Sequence, residues 1–118
     1  MESRILIAED QIDNRFFLDY DKAIKLLKER MKEKLPDFEI KEINDKKQTF
    51  YYYIIFKNKN FQIKLGGDRG YMIYDLFVNE KEFIFEKEII SKIKSASEKN
   101  TLLIIDIIAD EVKKIESK

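Results

Sequence analysis

Phe50-Tyr51-Tyr52-Tyr53-Ile54-Ile55-Phe56-Lys57, then Asn58-Lys59-Asn60, then Phe61-Gln62-Ile63-Lys64-Leu65, then Gly66-Gly67-Asp68-Arg69-Gly70, then Tyr71-Met72-Ile73-Tyr74-Asp75-Leu76-Phe77-Val78: this stretch decides the fold. Aromatic and β-branched residues fill a pleated, half-buried surface well, and two clusters of Asn and Gly interrupt them, so the pattern predicts three antiparallel strands. In the first, Phe50, Tyr52, Ile54 and Phe56 fall on one face and Tyr51, Tyr53 and Ile55 on the other. Both rows are apolar or aromatic. The strand is therefore central, or its tyrosine row is a binding surface. Asn58-Lys59-Asn60 reads as a tight hairpin because Asn tolerates positive φ, and Gly66 to Gly70 reads as the next loop.

On the N-terminal side, Tyr20, Ile24, Leu27, Met31 and Leu35 recur at helical spacing, with Asp19 or Asp21 as cap and Pro36 as terminator. The same stripe runs back through Phe16 and Ile12, so residues 1–18 read either as a short strand or as the start of this helix. Asp37 to Ile43 alternates with many charges, as an edge strand does, and Asn44-Asp45-Lys46-Lys47 reads as a turn. On the C-terminal side, Asn79-Glu80-Lys81-Glu82 turns the chain and Phe83 to Phe85 supplies a short fifth strand. A helix is predicted over Glu86 to Ala96. Another runs from Glu98 to Ile115, capped by Ser97; its segment Thr101 to Ile108 is rich in β-branched residues, but the helical stripe continues past it. The expectation is a single α+β domain over 1–118. It has an antiparallel meander of four to five strands, with one N-terminal and two C-terminal helices on one face.

Composition narrows the chemistry. A chain of 118 residues with 44% hydrophobic residues, three glycines and one proline is suited to one ordinary core. It holds neither Cys nor His, so thiolate and imidazole catalysis and ordinary zinc sites are excluded, while carboxylate sites for magnesium-type ions are not. The 23 basic and 23 acidic residues cancel, leaving no global field to attract nucleic acid or an anionic membrane. No run approaches membrane-spanning length, and Ile5 to Ala8 is too short for a signal sequence, so cytoplasmic residence is expected.

Each candidate site has a plainer competitor. Asp37, Glu39 and Lys41, with Gln62 and Lys64, touch on the acid-plus-lysine arrangement of magnesium-dependent nucleases, but alternation alone places Glu39 and Lys41 on a wet face. Gly66 to Gly70 is able to cradle an anion beside Arg69, yet it feeds a strand rather than a helix, and Arg69 pairs as readily with Asp68. Asp75 stands among apolar residues, either on an outward row with Tyr71 or buried with a partner. Asp106 and Asp110 share one helix face and read as an exposed flank. The basic residues of the middle segment, interleaved with glutamates, argue against a nucleic-acid surface despite Tyr51, Tyr52 and Tyr53. No metal and no cofactor is expected.

Two local resemblances are present. Arg4-Ile5-Leu6-Ile7-Ala8-Glu9-Asp10 followed by Gln11 to Arg15 resembles the opening of receiver domains. The antiparallel aromatic block leaves no place for the phospho-accepting Asp, Thr or Ser, and Lys of that family. Gly66-Gly67-Asp68-Arg69-Gly70-Tyr71 through Asp75-Leu76-Phe77-Val78-Asn79, with Ser97-Glu98-Lys99-Asn100-Thr101-Leu102-Leu103, resembles small immunity proteins of bacterial toxin systems. That resemblance implies stoichiometric occlusion of a toxin's active site, acids answering a basic cleft. The expectation is thus a non-catalytic protein-binding module of immunity type. A phage or mobile-element regulator or anti-defence inhibitor is the alternative, and a magnesium-dependent nuclease the third reading. The residues expected to meet a protein partner are Tyr51, Tyr53, Asp68, Arg69, Tyr71 and Asp75, and an exposed tyrosine row also suits a homodimer face.

Overall fold

A computed structural model describes residues 12–44, 50–85 and 91–117. Strands β1 (Glu39–Asn44), β2 (Tyr51–Lys57), β3 (Phe61–Asp68), β4 (Tyr71–Val78) and β5 (Lys81–Glu82) form one antiparallel meander, each beside its neighbour in sequence. Helices α1 (Tyr20–Lys34) and α2 (Glu98–Glu116) are the two helices among the described residues.

The alternation along β2 to β4 sorts side chains to two faces. Tyr52, Ile54 and Phe56, Phe61, Ile63 and Leu65, and Met72 and Leu76 are buried against Ala23, Leu27 and Met31 of α1 and Ile104, Ile105, Ile108 and Val112 of α2. Each fully buried aliphatic or aromatic side chain of this kind contributes about 1.5–3 kcal/mol. The Tyr20 ring meets Tyr52 edge-on at 5.9 Å, and burial pushes the Tyr52 phenol up to about 12. Asp19 caps α1 by accepting from the Lys22 amide at 3.0 Å, and Ser97 caps α2 by accepting from the Asn100 amide at 3.2 Å. Thr101 to Ile108 is helical, as the continuous stripe requires. Between the helices, Arg30 Nη2 donates to both carboxylate oxygens of Asp106 at 3.0 and 3.2 Å, and Lys34 Nζ lies 3.7 Å from the same group. Asp106 is therefore an interhelical partner, while Asp110 is exposed as expected.

Several expectations are corrected. The helix predicted over Glu86 to Ala96 is not formed over its described part: residues 91–97 are turn and extended chain, and residues 86–90 lie outside the described residues. Ser95 bridges Tyr71, the Met72 amide donates to the Lys94 carbonyl at 2.8 Å, and the Ala96 amide donates to the Gly70 carbonyl at 2.8 Å. The start of β4 thus captures this backbone, and its buried Ile93 and Ala96 enter the core from an extended chain.

Gly66 and Gly67 belong to β3 rather than to a loop. A Cβ on Gly66 would lie 2.7 Å from the Tyr53 Cα, and one on Gly67 would lie 2.8 Å from the Tyr52 ring, so close approach of β2 excludes side chains there. The turn itself is Arg69-Gly70, both with positive φ (50° and 90°), between the paired Asp68 and Tyr71. Asn79-Glu80 repeats the geometry with φ of 51° and 70°. The fifth strand is Lys81–Glu82, earlier than the expected Phe83 to Phe85, because this two-residue turn leaves no slack.

The Asn58 hairpin forms by another means than positive φ: Asn58 Oδ1 accepts from the amides of Asn60 at 3.1 Å and Phe61 at 2.9 Å. Phe50 leaves the core row. It precedes β2 with φ of 53° and is 73% exposed, its carbonyl accepting from the Arg69 amide at 2.9 Å. Asn44 ends β1, and the rest of the turn expected there, residues 45–47, lies outside the described residues. Residues 12–19 are neither strand nor helix, and the receiver-like residues 4–10 lie outside the described residues.

Candidate functional site

Both helices cover the same side of the sheet, so among the described residues the opposite face carries no helix. The ladder register assembles that face. Glu42, Ile55, Lys64 and Asp75 form one cross-strand row; Asn44, Tyr53, Gly66 and Ile73 form the next; Tyr51, Asp68 and Tyr71 form a third. All six residues expected to meet a partner lie on this face or at its rim. Tyr51, Tyr53 and Asp75 surround Lys64, whereas Asp68, Arg69 and Tyr71 sit at the β3–β4 turn.

Lys64 is the hub of the central group. Its ammonium lies 4.4 Å from the Tyr53 ring centroid and 5.7 Å from that of Tyr51, and it donates to the Tyr51 hydroxyl at 3.1 Å. The two tyrosine rings are 5.5 Å apart and tilted. The Tyr53 hydroxyl donates to Glu42 Oε2, and this hydrogen bond pushes the Tyr53 phenol above its ordinary value. Asp75, directly across the ladder from Lys64, has its carboxyl raised above the ordinary range: burial dominates, the Lys64 charge pulls it back down, and Glu82 adds to the rise. Tyr74, on the helix-covered face, has its phenol raised by burial and by Asp75.

The rim at the β3–β4 turn is aromatic and exposed. Tyr71 is 66% exposed, the ring of Phe17 packs on Gly70, and the Arg15 guanidinium lies 5.3 Å over Phe16. Arg69 Nε donates to Asp68 Oδ1 at 3.2 Å, the local pair that the sequence allows. A polar clasp positions this rim. Asn14 Oδ1 accepts from the amides of Lys94 and Ser95, Ser95 Oγ donates to the carbonyls of Asp13 and Phe16, and the buried Asn100 side chain bonds to Asp13, Asn14 and Ser95.

The residues of the nuclease reading are engaged elsewhere. Asp37 accepts from Asn58 Nδ2 at 3.1 Å, Lys41 donates to Gln62 Oε1 at 3.2 Å, and Lys64 belongs to the tyrosine group. Among the described residues no cluster of three or more acids is placed to hold a metal ion. No described helix is long and apolar enough to cross a membrane.

Lys64 and Glu42 are absent from the residues that the sequence singles out for a partner. Lys64 was within reach: a two-residue turn at Lys59-Asn60 pairs Lys57 with Gln62, and counting on sets Lys64 opposite Ile55, one row along from Tyr53. Glu42 was not, because a register shift between Ile40 and Glu42 breaks the count along β1. Comparison of the chain with protein-family models, with curated proteins and with solved structures returns no match.

Proposed function

We propose that this protein is a non-catalytic protein-binding module whose contact surface is the helix-free face of the sheet, and that its role is that of an immunity-type inhibitor. The observation that carries the reading is the group Tyr51, Tyr53, Lys64 and Glu42, held together on that face. Aromatic rings with polar tips give large contact area, and rings already fixed by a neighbouring cation lose little freedom on binding. The acids on the same face, Glu42, Asp68, Asp75 and Glu82, supply charge for a basic cleft and favour fast, oriented encounter.

The test is protection from a toxin. The product of a neighbouring toxin-type gene is expressed with this protein, and growth and complex formation are followed. Rescue by the wild type, lost on Tyr53→Ala and on Lys64→Glu while both variants remain folded, is the expected result. Magnesium-dependent DNA cleavage by the purified protein, abolished by Lys64→Ala, would overturn the reading.

A further inference from the structure

β1 is a terminal strand of the sheet, and among the described residues no strand lies along its outer edge. It carries two isoleucines that the helices do not cover: Ile40 is 44% exposed and Ile43 is 37% exposed. An open groove lined by Glu39, Ile40, Lys41, Lys57 and Asn58 runs beside it. Charged residues and bulges on an edge ordinarily discourage pairing with another chain. In β1 they do something more specific.

The faces follow from the register. Glu39 pairs Lys57, Glu42 pairs Ile55 and Asn44 pairs Tyr53, so these three share the helix-free face; Ile40 pairs Phe56 and Ile43 pairs Ile54, so both isoleucines lie on the helix side. Lys41 occupies the irregularity between Ile40 and Glu42, and its Nζ reaches Gln62 Oε1 on the helix-free face. From Glu39 to Asn44 the order is therefore outer, helix side, outer, outer, helix side, outer. That order reads the same in both directions. A regular strand of even length does not have this property; the bulge confers it.

We propose that β1 is a self-pairing edge: two copies of this chain join antiparallel through Glu39–Asn44 about a two-fold axis between Lys41 and Glu42. In this register Ile40 faces the partner's Ile43 on the helix side. Lys41 faces the partner's Glu42 on the other, and Glu39 faces the partner's Asn44. Every pair matches in face, and the charged pair matches in sign. A slip of one residue either way sets both isoleucines against residues of the opposite face, so neither neighbouring register matches. The existing bonds leave room, because the Tyr53 hydroxyl uses one oxygen of Glu42 and Gln62 uses one proton of Lys41. The result is an isologous dimer with one sheet continuous through both copies.

Sedimentation equilibrium of the full chain over a concentration series is the test, with circular dichroism confirming that each variant is folded. The wild type is a dimer, and Ile43→Lys is monomeric where the wild type is dimeric. Lys41→Glu and Glu42→Lys each place like charges opposite one another twice across the axis, raising the dissociation constant about tenfold or more. The double variant Lys41→Glu, Glu42→Lys restores dimerisation. A monomeric wild type overturns the proposal. So does failure of the double variant to restore the dimer, or a dimer that survives Ile43→Lys and dissociates on Tyr53→Ala.

Discussion

The Asn100 side chain completes a two-point bond with the backbone of Asp13: its Oδ1 accepts from the Asp13 amide at 2.9 Å and its Nδ2 donates to the Asp13 carbonyl at 2.9 Å. Nδ2 also donates to Asn14 Oδ1 and to the Ser95 carbonyl. Asn100 is fully buried near the start of α2, so one amide ties the irregular N-terminal chain to the helix. Its truncation leaves buried donors and acceptors unmatched. Asn100→Ala is expected to cost about 2–3 kcal/mol in urea-induced unfolding. Asn100→Asp should cost at least as much, since a carboxylate accepts from Asp13 but donates nothing to three oxygens. A loss within 0.5 kcal/mol of zero for Asn100→Ala would mean that water replaces the clasp, a substitution of the kind open to accessible sites.

Gly66 carries a sharper steric prediction. An added methyl there meets the Tyr53 Cα at 2.7 Å, and backbone has no rotamer with which to yield. Gly66→Ala is expected to destabilise by about 3 kcal/mol or more, or to prevent folding. Gly67→Ala meets the Tyr52 ring first, which is able to tilt, and so should cost less. Thermal unfolding of the pair, compared under one condition, checks the order.

Phe50 is strained and exposed at once. Its φ of 53° lies in the left-handed region, which costs a side chain with a Cβ about 1 kcal/mol, and 73% exposure returns little burial in exchange. Phe50→Gly and Phe50→Asn are therefore expected to raise stability by about 0.5–1 kcal/mol in thermal or urea unfolding. If the strained ring belongs to the partner-binding rim, the same changes weaken the complex while strengthening the fold.

What was legible in the sequence divides along physical lines. Period-2 and period-3.6 patterns found β2, β4, α1 and α2, because a buried face imposes its period on the residues that fill it. The outer row of Tyr51, Tyr53, Tyr71 and Asp75 was visible for the same reason. Gly66 and Gly67 were misread because glycine forms turns by its freedom and strands by its lack of bulk. Only the neighbouring strand tells which applies. The segment Glu86 to Ala96 carries Ile89, Ile90 and Ile93 at helical spacing, yet Asn14 Oδ1 captures the Lys94 and Ser95 amides laterally. Such long-range polar capture leaves no periodic trace. Lys64 stood in plain view, but its meaning depended on counting back through a turn whose ends a sequence marks only approximately.

Asp75 couples stability to the proposed recognition. Burial holds its carboxyl above the ordinary 3.8, so the folded protein favours the protonated form more than the unfolded chain does. The contribution is favourable below 3.8 and is lost as pH rises from there through the raised folded value. At neutral pH the ionised, half-exposed carboxylate is a small net burden, which screening keeps below about 1 kcal/mol. Asp75→Asn removes the titration. Urea unfolding between acid and neutral pH should therefore show the variant gaining on the wild type as pH rises, and matching it most closely in acid. If Asp75 also meets a basic cleft, the variant should form its complex more slowly, with the deficit shrinking at high salt, as expected of a steering charge. A residue kept only for the fold would show the stability gain and no change in association rate, so one substitution separates the two roles.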